Sequence, residues 1–142
     1  MSVLLDTNVV SELVARRPDP GVISWVESQD PEGIFLSVVT IGELNRGIQK
    51  LPDTSRKRRL ANWLTGDLLI RFRDRILPLD ISVMMAWGSM VARIEAAGQK
   101  IPAIDSLLAA TAAHYGLSLA TRNVRDFKQV GIAIVNPWEP PA

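Results

Sequence analysis

Apolar residues in this chain fall into two patterns. Short unbroken runs of three or four alternate with longer stretches in which they recur every third or fourth position. The short runs read as buried strands and the longer period as amphipathic helices. Val3-Leu4-Leu5 predicts a first strand and Val9 to Val14 the start of a helix. Arg17-Pro18-Asp19-Pro20-Gly21 is a turn cluster, and Val22, Ile23 and Val26 predict a short helix through Glu27. After the turn Asp30-Pro31-Glu32-Gly33, Ile34-Phe35-Leu36 predicts a second strand and Ser37 to Leu51 a helix. In that helix Ile41, Leu44 and Ile48 share one face, while Glu43, Gly47 and Lys50 share another. Pro52 stops it. Thr54 or Ser55 caps a helix carrying Leu60, Trp63 and Leu64 that runs through Gly66 to about Asp74.

The second half repeats the alternation. Ile76 to Leu79 predicts a strand, and Ile81 to Ala97 a mostly apolar helix ended by Gly98. Pro102 opens a helix that runs to Tyr115 and is closed by Gly116. Leu117 to Ala120 predicts a fourth strand, Asn123 to Phe127 a turn or short helix, and Ile132 to Val135 a last strand. Short apolar strands alternating with helices imply a parallel sheet covered on both faces. No repeat or linker interrupts the pattern. Residues 1–138 are expected to form a single domain, with 139–142 as a frayed C-terminal tail.

Composition narrows the classes. At 142 residues the chain can bury about two-thirds of its unfolded surface. Its 47% hydrophobic content excludes a largely disordered chain. A net charge of +1 leaves no overall field to attract nucleic acid, so any basic footprint is local. The absence of cysteine excludes disulfides, thiolate zinc sites and cysteine nucleophiles. It is compatible with a reducing compartment, and the cytoplasm is the expected location. The first apolar run has no basic residues before it and is broken by Asp6, unlike a signal peptide. The run Ile81 to Ala92 is too short to span a bilayer, so no membrane partner is expected.

Three acids occupy mostly apolar, uncharged surroundings: Asp6 after the first strand, Glu43 among Val38, Val39, Ile41 and Leu44, and Asp105 among Ile101, Ile104, Leu107 and Leu108. Each has a local explanation. Asp6 is placed to cap a helix. Asp105 lies in a first helical turn, where the helix dipole favours it. Glu43 has the spacing of an exposed helix residue. Should the three converge, like charges a few ångströms apart cannot all ionise unaided, and a bound cation resolves the conflict. With one histidine and no cysteine its ligands would be oxygens and waters, which favours Mg²⁺ or Mn²⁺. After the fourth strand, Thr121, Arg122, Asn123 and Asp126 bring polar groups to the same sheet edge.

Five segments in this order resemble the PIN-domain ribonucleases: Leu4-Leu5-Asp6-Thr7-Asn8, Ser37-Val38-Val39-Thr40-Ile41-Gly42-Glu43-Leu44, Pro102-Ala103-Ile104-Asp105-Ser106-Leu107-Leu108-Ala109-Ala110, Ala120-Thr121-Arg122-Asn123-Val124-Arg125-Asp126-Phe127, and Asn136-Pro137-Trp138. More narrowly, they resemble the VapC toxins of type II toxin–antitoxin pairs, including the FitB-like branch. The resemblance implies a three-layer α/β/α sandwich with a central parallel sheet of about five strands. It also implies an Mg²⁺- or Mn²⁺-dependent endoribonuclease, a homodimer, and a cognate antitoxin whose tail blocks the active site. Asp6, Glu43 and Asp105 fall on the family's acidic positions, with Asp6 and Asp105 as direct metal ligands. Where the family often has a further acid, this chain has Asn123, with Asp126 three residues on.

On that reading Glu43 acts as a ligand through water or as general base, and Thr7 and Thr121 are orienting hydroxyls. Asn8, Asn123 and Asp126 are secondary. RNA phosphates need cations. Candidates are Arg46, one turn after Glu43, Arg122, and the runs Arg56-Lys57-Arg58-Arg59 and Arg71, Arg73, Arg75. Such runs are more commonly solvated helix faces. Trp63 and Trp87 read as core or dimer contacts, Met84, Met85 and Met90 as core, and His114 as structural. Two rival readings are a phosphoryl-transfer enzyme with Asp6 as nucleophile and a catalytically silent module that binds RNA or protein.

Overall fold

A computed structural model of the chain describes residues 2–139. Pro140 to Ala142, most of the expected tail, lie outside the described residues. The sheet has five parallel strands: β1 (Val3–Leu5), β2 (Ile34–Ser37), β3 (Ile76–Leu77), β4 (Ser118–Ala120) and β5 (Ile134–Val135), in the order β3-β2-β1-β4-β5. The main helices are α1 (Thr7–Glu12), α2 (Pro20–Ser28), α3 (Val38–Gln49), α4 (Ser55–Trp63), α5 (Leu69–Arg71), α6 (Ile81–Ala96) and α7 (Ala103–Tyr115). Among the described residues, no helix is long and apolar enough to cross a membrane.

Alternation along β1 divides the core into two layers. Val3 and Leu5 face one way, with Ile34 and Leu36 of β2, and meet Val9, Val22, Leu44, Ile48, Leu64 and Phe72. Leu4 faces the other way with Leu119 and meets Met90, Ile94, Leu108 and Phe127. This is the expected α/β/α sandwich. Strand order makes β1 the switch point: the chain steps outward from β1 to β2 and β3, then returns to lay β4 and β5 on β1's other side. Open sheets of this kind bind ligands in the crevice beyond the carboxyl ends of such strands.

The main departures from expectation are these. The helix predicted from 54 to about 74 is broken: α4 passes into a π turn at Leu64–Leu68, then α5, then a 3₁₀ turn at Arg73–Arg75. Leu60, Leu64, Leu68 and Phe72 recur every four residues, and such a row drifts about 40° per step around an α-helix. The wider turn cancels part of the drift and keeps Leu64, Leu68 and Phe72 buried. β3 stops at Leu77 rather than Leu79, because Pro78 has no N–H to continue the ladder. β5 begins at Ile134 rather than Ile132, after a 3₁₀ helix (Val124–Val130) that ends on Gly131 at φ +85°. Finally, of the methionines expected in the core only Met90 is buried; Met84 and Met85 face outward, with Met85 70% exposed.

Candidate active site

The crevice is built by register. Val3 pairs with Ser118, Leu4 with Leu119 and Leu5 with Ala120, so Asp6 and Thr121 leave their strands side by side. Asp6 N donates to Ala120 O at 2.9 Å. Thr121 Oγ1 donates to Asp6 Oδ2 at 2.7 Å, and Thr7 N donates to Asp6 Oδ1 at 2.6 Å. Asp6 is therefore both the helix cap and the centre of the crevice; the two readings of its position do not exclude each other. Asn8 Nδ2 donates to Asp6 Oδ2 and to Thr121 Oγ1, each at 3.4 Å, and Asn123 N donates to Thr121 Oγ1 at 3.0 Å. Both oxygens of the carboxylate are thus engaged, an unfavourable state for an attacking nucleophile.

Glu43 arrives from α3, which starts where β2 ends. Thr7 Oγ1 donates to Glu43 Oε1. That leaves the buried Thr40 hydroxyl, 3.0 Å away, to donate to Thr7 in turn. Asp105 comes from the first turn of α7, half-buried. Asp6, Thr7, Asn8, Glu43, Asp105, Arg122 and Asn123 line one cavity of about 400 Å³. Asp126, in the first turn of the 3₁₀ helix, stands close enough to Asp105 to raise its pKa.

Electrostatics in the crevice are unbalanced. Burial pushes the Asp6 carboxyl above the usual carboxylate range, and Glu43 and Asp126 push it further, against the opposing bonds from Thr121 and Thr7. Asp105 is raised to about 6, first by desolvation, then by Asp6, Asp126 and Glu43, and by a carboxyl–carboxyl hydrogen bond with Asp126. The helix dipole expected to favour the charged form is outweighed. Among the described residues the one ion pair is Arg58–Asp53 at 3.6 Å, so none of these acids is paired directly with a Lys or Arg side chain. Nor does any group of three acidic or imidazole side chains among the described residues meet in an arrangement ready to hold a metal. The acids ring a cavity rather than closing on a point. Hard oxygen donors, desolvated and mutually repelling, fit a hydrated divalent cation reached partly through waters.

Other candidates lie elsewhere. Arg46 is exposed and does not line the cavity. Arg71 and Arg75 stack on Phe72, and Arg75 Nε donates to Ile34 O at the opposite end of the sheet. Arg56 instead faces a neighbouring groove of about 300 Å³ that includes Thr7, Glu43, Val14, Leu44 and Trp63. His114, at the far end of α7, is exposed and packs edge-on against Tyr115. Trp87 Nε1 donates to Ser106 Oγ at 2.8 Å. Residues that sequence reasoning missed are Thr40, Ser11, Glu12 and Trp138. Ser11 and Glu12 were accessible, since they follow Asn8 by three and four positions on one helix face.

A parallel α/β sandwich with an acid-lined crevice at its switch point defines the class. A model of the PIN domain matches residues 3–133, and the chain belongs to that family. It is 36% identical over 138 residues to the VapC ribonuclease Y4jK of Sinorhizobium fredii, covering 97% of this chain and 99% of that one. It is 35% identical over 136 residues to toxin FitB of Neisseria gonorrhoeae, covering 96% and 98% respectively. The solved structure of FitAcB from Neisseria gonorrhoeae matches with a TM-score of 0.93 at 35% identity, covering 97% of this chain and 99% of that one.

Proposed function

We propose that residues 1–138 form an endoribonuclease that hydrolyses RNA phosphodiester bonds with a divalent ion, Mg²⁺ or Mn²⁺, and that the chain is the toxin of a cytoplasmic toxin–antitoxin pair. The observation that carries this reading is the uncompensated acidic crevice at the switch point. The similar proteins named ribonuclease and toxin support it.

Asp6 and Asp105 would hold the ion, with Asp126 and Glu43 at its edge. A bound divalent ion supplies positive charge at the phosphate and eases deprotonation of water. Glu43, oriented through Oε1 by the Thr7 hydroxyl, keeps Oε2 free to take the proton of the attacking water. The water oxygen forms one P–O bond as another breaks, and the leaving oxygen takes a proton from solvent. Thr121 and Asn8 keep Asp6 in place. Arg122, Asn8 and Asn123, which line the same cavity, would contact the RNA strand.

Two partners belong to this proposal. The apolar groove beside Thr7 and Glu43 suits a helical segment of an antitoxin, which would reach the acids from there. The outward face of α6, with Ile81 83% exposed and Met85 70%, suits a second copy of the chain.

The decisive experiment is cleavage of total RNA with and without Mg²⁺ or Mn²⁺, comparing the native chain with Asp6→Asn. Metal-dependent cutting that Asp6→Asn abolishes is the expected result. Equal cutting by both proteins, or none by either with metal bound, would sink the reading.

A further inference from the structure

Trp138 takes no part in the hydrolysis, yet it lines the same cavity as Asp6, Glu43 and Asp105. Its position is set locally. β5 ends at Val135 on the carboxyl edge of the sheet, and the chain then turns. Trp138 N donates to Asn136 Oδ1 at 3.0 Å and Glu139 N to Asn136 O at 3.1 Å. Pro137 is buried. The indole is half-buried, packed on one side against the core layer that contains Val9, Val10 and Val22, and open to the cavity on the other.

Arg122 stands over this indole, with Cζ 5.3 Å from the ring centroid. It is the one Lys or Arg side chain among the residues lining the cavity, and among the described residues it is in no ion pair. Its backbone is also tied in, since Arg122 N donates to Asn8 Oδ1 at 3.4 Å. A guanidinium stacked on an aromatic face keeps its N–H edges free for phosphate. The stack also removes rotamer freedom that would otherwise be lost on binding. Cations fixed in place along the backbone hold single-stranded RNA through its phosphates.

We propose that Trp138 and Arg122 form one clamp on the RNA strand beside the scissile bond, the indole serving as the platform that holds the guanidinium in position for a flanking phosphate. The inference rests on the ribonuclease reading and adds to it a determinant of substrate binding.

The test uses the full chain and a fluorescein-labelled single-stranded RNA oligonucleotide of mixed sequence. Binding is read by anisotropy under Ca²⁺, and cleavage of total RNA under Mg²⁺. Trp138→Leu should weaken binding about three- to tenfold, the scale of a lost cation–π platform, while Trp138→Phe restores most of it. Cleavage by Trp138→Leu should suffer through KM, with kcat nearly unchanged. Arg122 is exposed, so Arg122→Gln keeps the fold; it should lower the salt dependence of binding by about 0.7 in log–log slope. In a Trp138→Leu background the same substitution should lose much of its effect. Native affinity in Trp138→Leu, or strictly additive losses in the double variant, overturns the clamp while native cleavage leaves the ribonuclease reading standing. Unchanged RNA affinity together with weakened capture of a partner protein overturns it in favour of protein binding. A native chain that neither binds the oligonucleotide nor cuts total RNA overturns both readings.

Discussion

Thr121 Oγ1 donates to Asp6 Oδ2 at 2.7 Å, joining residues 115 positions apart in the chain. Both are buried, and the bond continues the β1–β4 ladder into the side chains. Replacing Thr121 with the isosteric valine leaves a buried carboxylate short of a donor. Thr121→Val should lower stability by about 1–3 kcal/mol, measured by urea unfolding in EDTA. A loss within experimental error would mean that Asp6 draws its support elsewhere.

Asp105 predicts a pH dependence of the metal-free protein. Its folded pKa is raised from 3.8 to about 6, so the folded state binds the proton more tightly than the unfolded chain. Stability from this group is therefore fullest below about pH 4 and declines as pH rises toward 6. Urea unfolding of native protein and Asp105→Asn should differ by a constant amount at acid pH. The difference should then move in favour of the variant between about pH 4 and 6 and level off above that. Parallel profiles would contradict the raised value.

The same proton opposes metal. A cation held by Asp105 must displace it, so the rise in Tm on adding Mn²⁺ should be larger at about pH 7.5 than at about pH 5.5. In Asp105→Asn both the rise and its pH dependence should shrink. Differential scanning fluorimetry at the two pH values decides it.

Thr40 acts on Glu43 only through Thr7. Thr40→Val should reduce kcat on RNA by about three- to tenfold with KM unchanged, as expected for a loosened general base. A rise in KM alone would assign Thr40 to substrate binding.

The exposed methionine of α6 tests the proposed dimer. Met85→Glu places a charge on an otherwise apolar face beside Ile81 and Met84. Light scattering after size exclusion should show a dimer for the native chain and a monomer for the variant. A dimer in both would move the contact to another face.

Much of this was legible in the order of residue types. Val3-Leu4-Leu5 before Asp6, and Pro102 before Asp105, placed two acids at strand and helix ends because burial and backbone chemistry act over a few neighbouring residues. Met84 and Met85 misled, because an apolar run along a helix says nothing of which side meets the sheet. The π turn was hidden as well, since only the packing of Leu64, Leu68 and Phe72 against one core layer calls for it.

Local pattern therefore determined the alternation of strands and helices, the parallel sheet and the presence of unusual acids. Tertiary structure alone decided that Asp6 meets Thr121, that Thr40 reaches Glu43 through Thr7, that Asp126 faces Asp105, and that Trp138 lies under Arg122. The reason is physical: strand order and register set distances between residues far apart in the chain, and the charge repulsion and hydrogen bonding of the crevice depend on those distances.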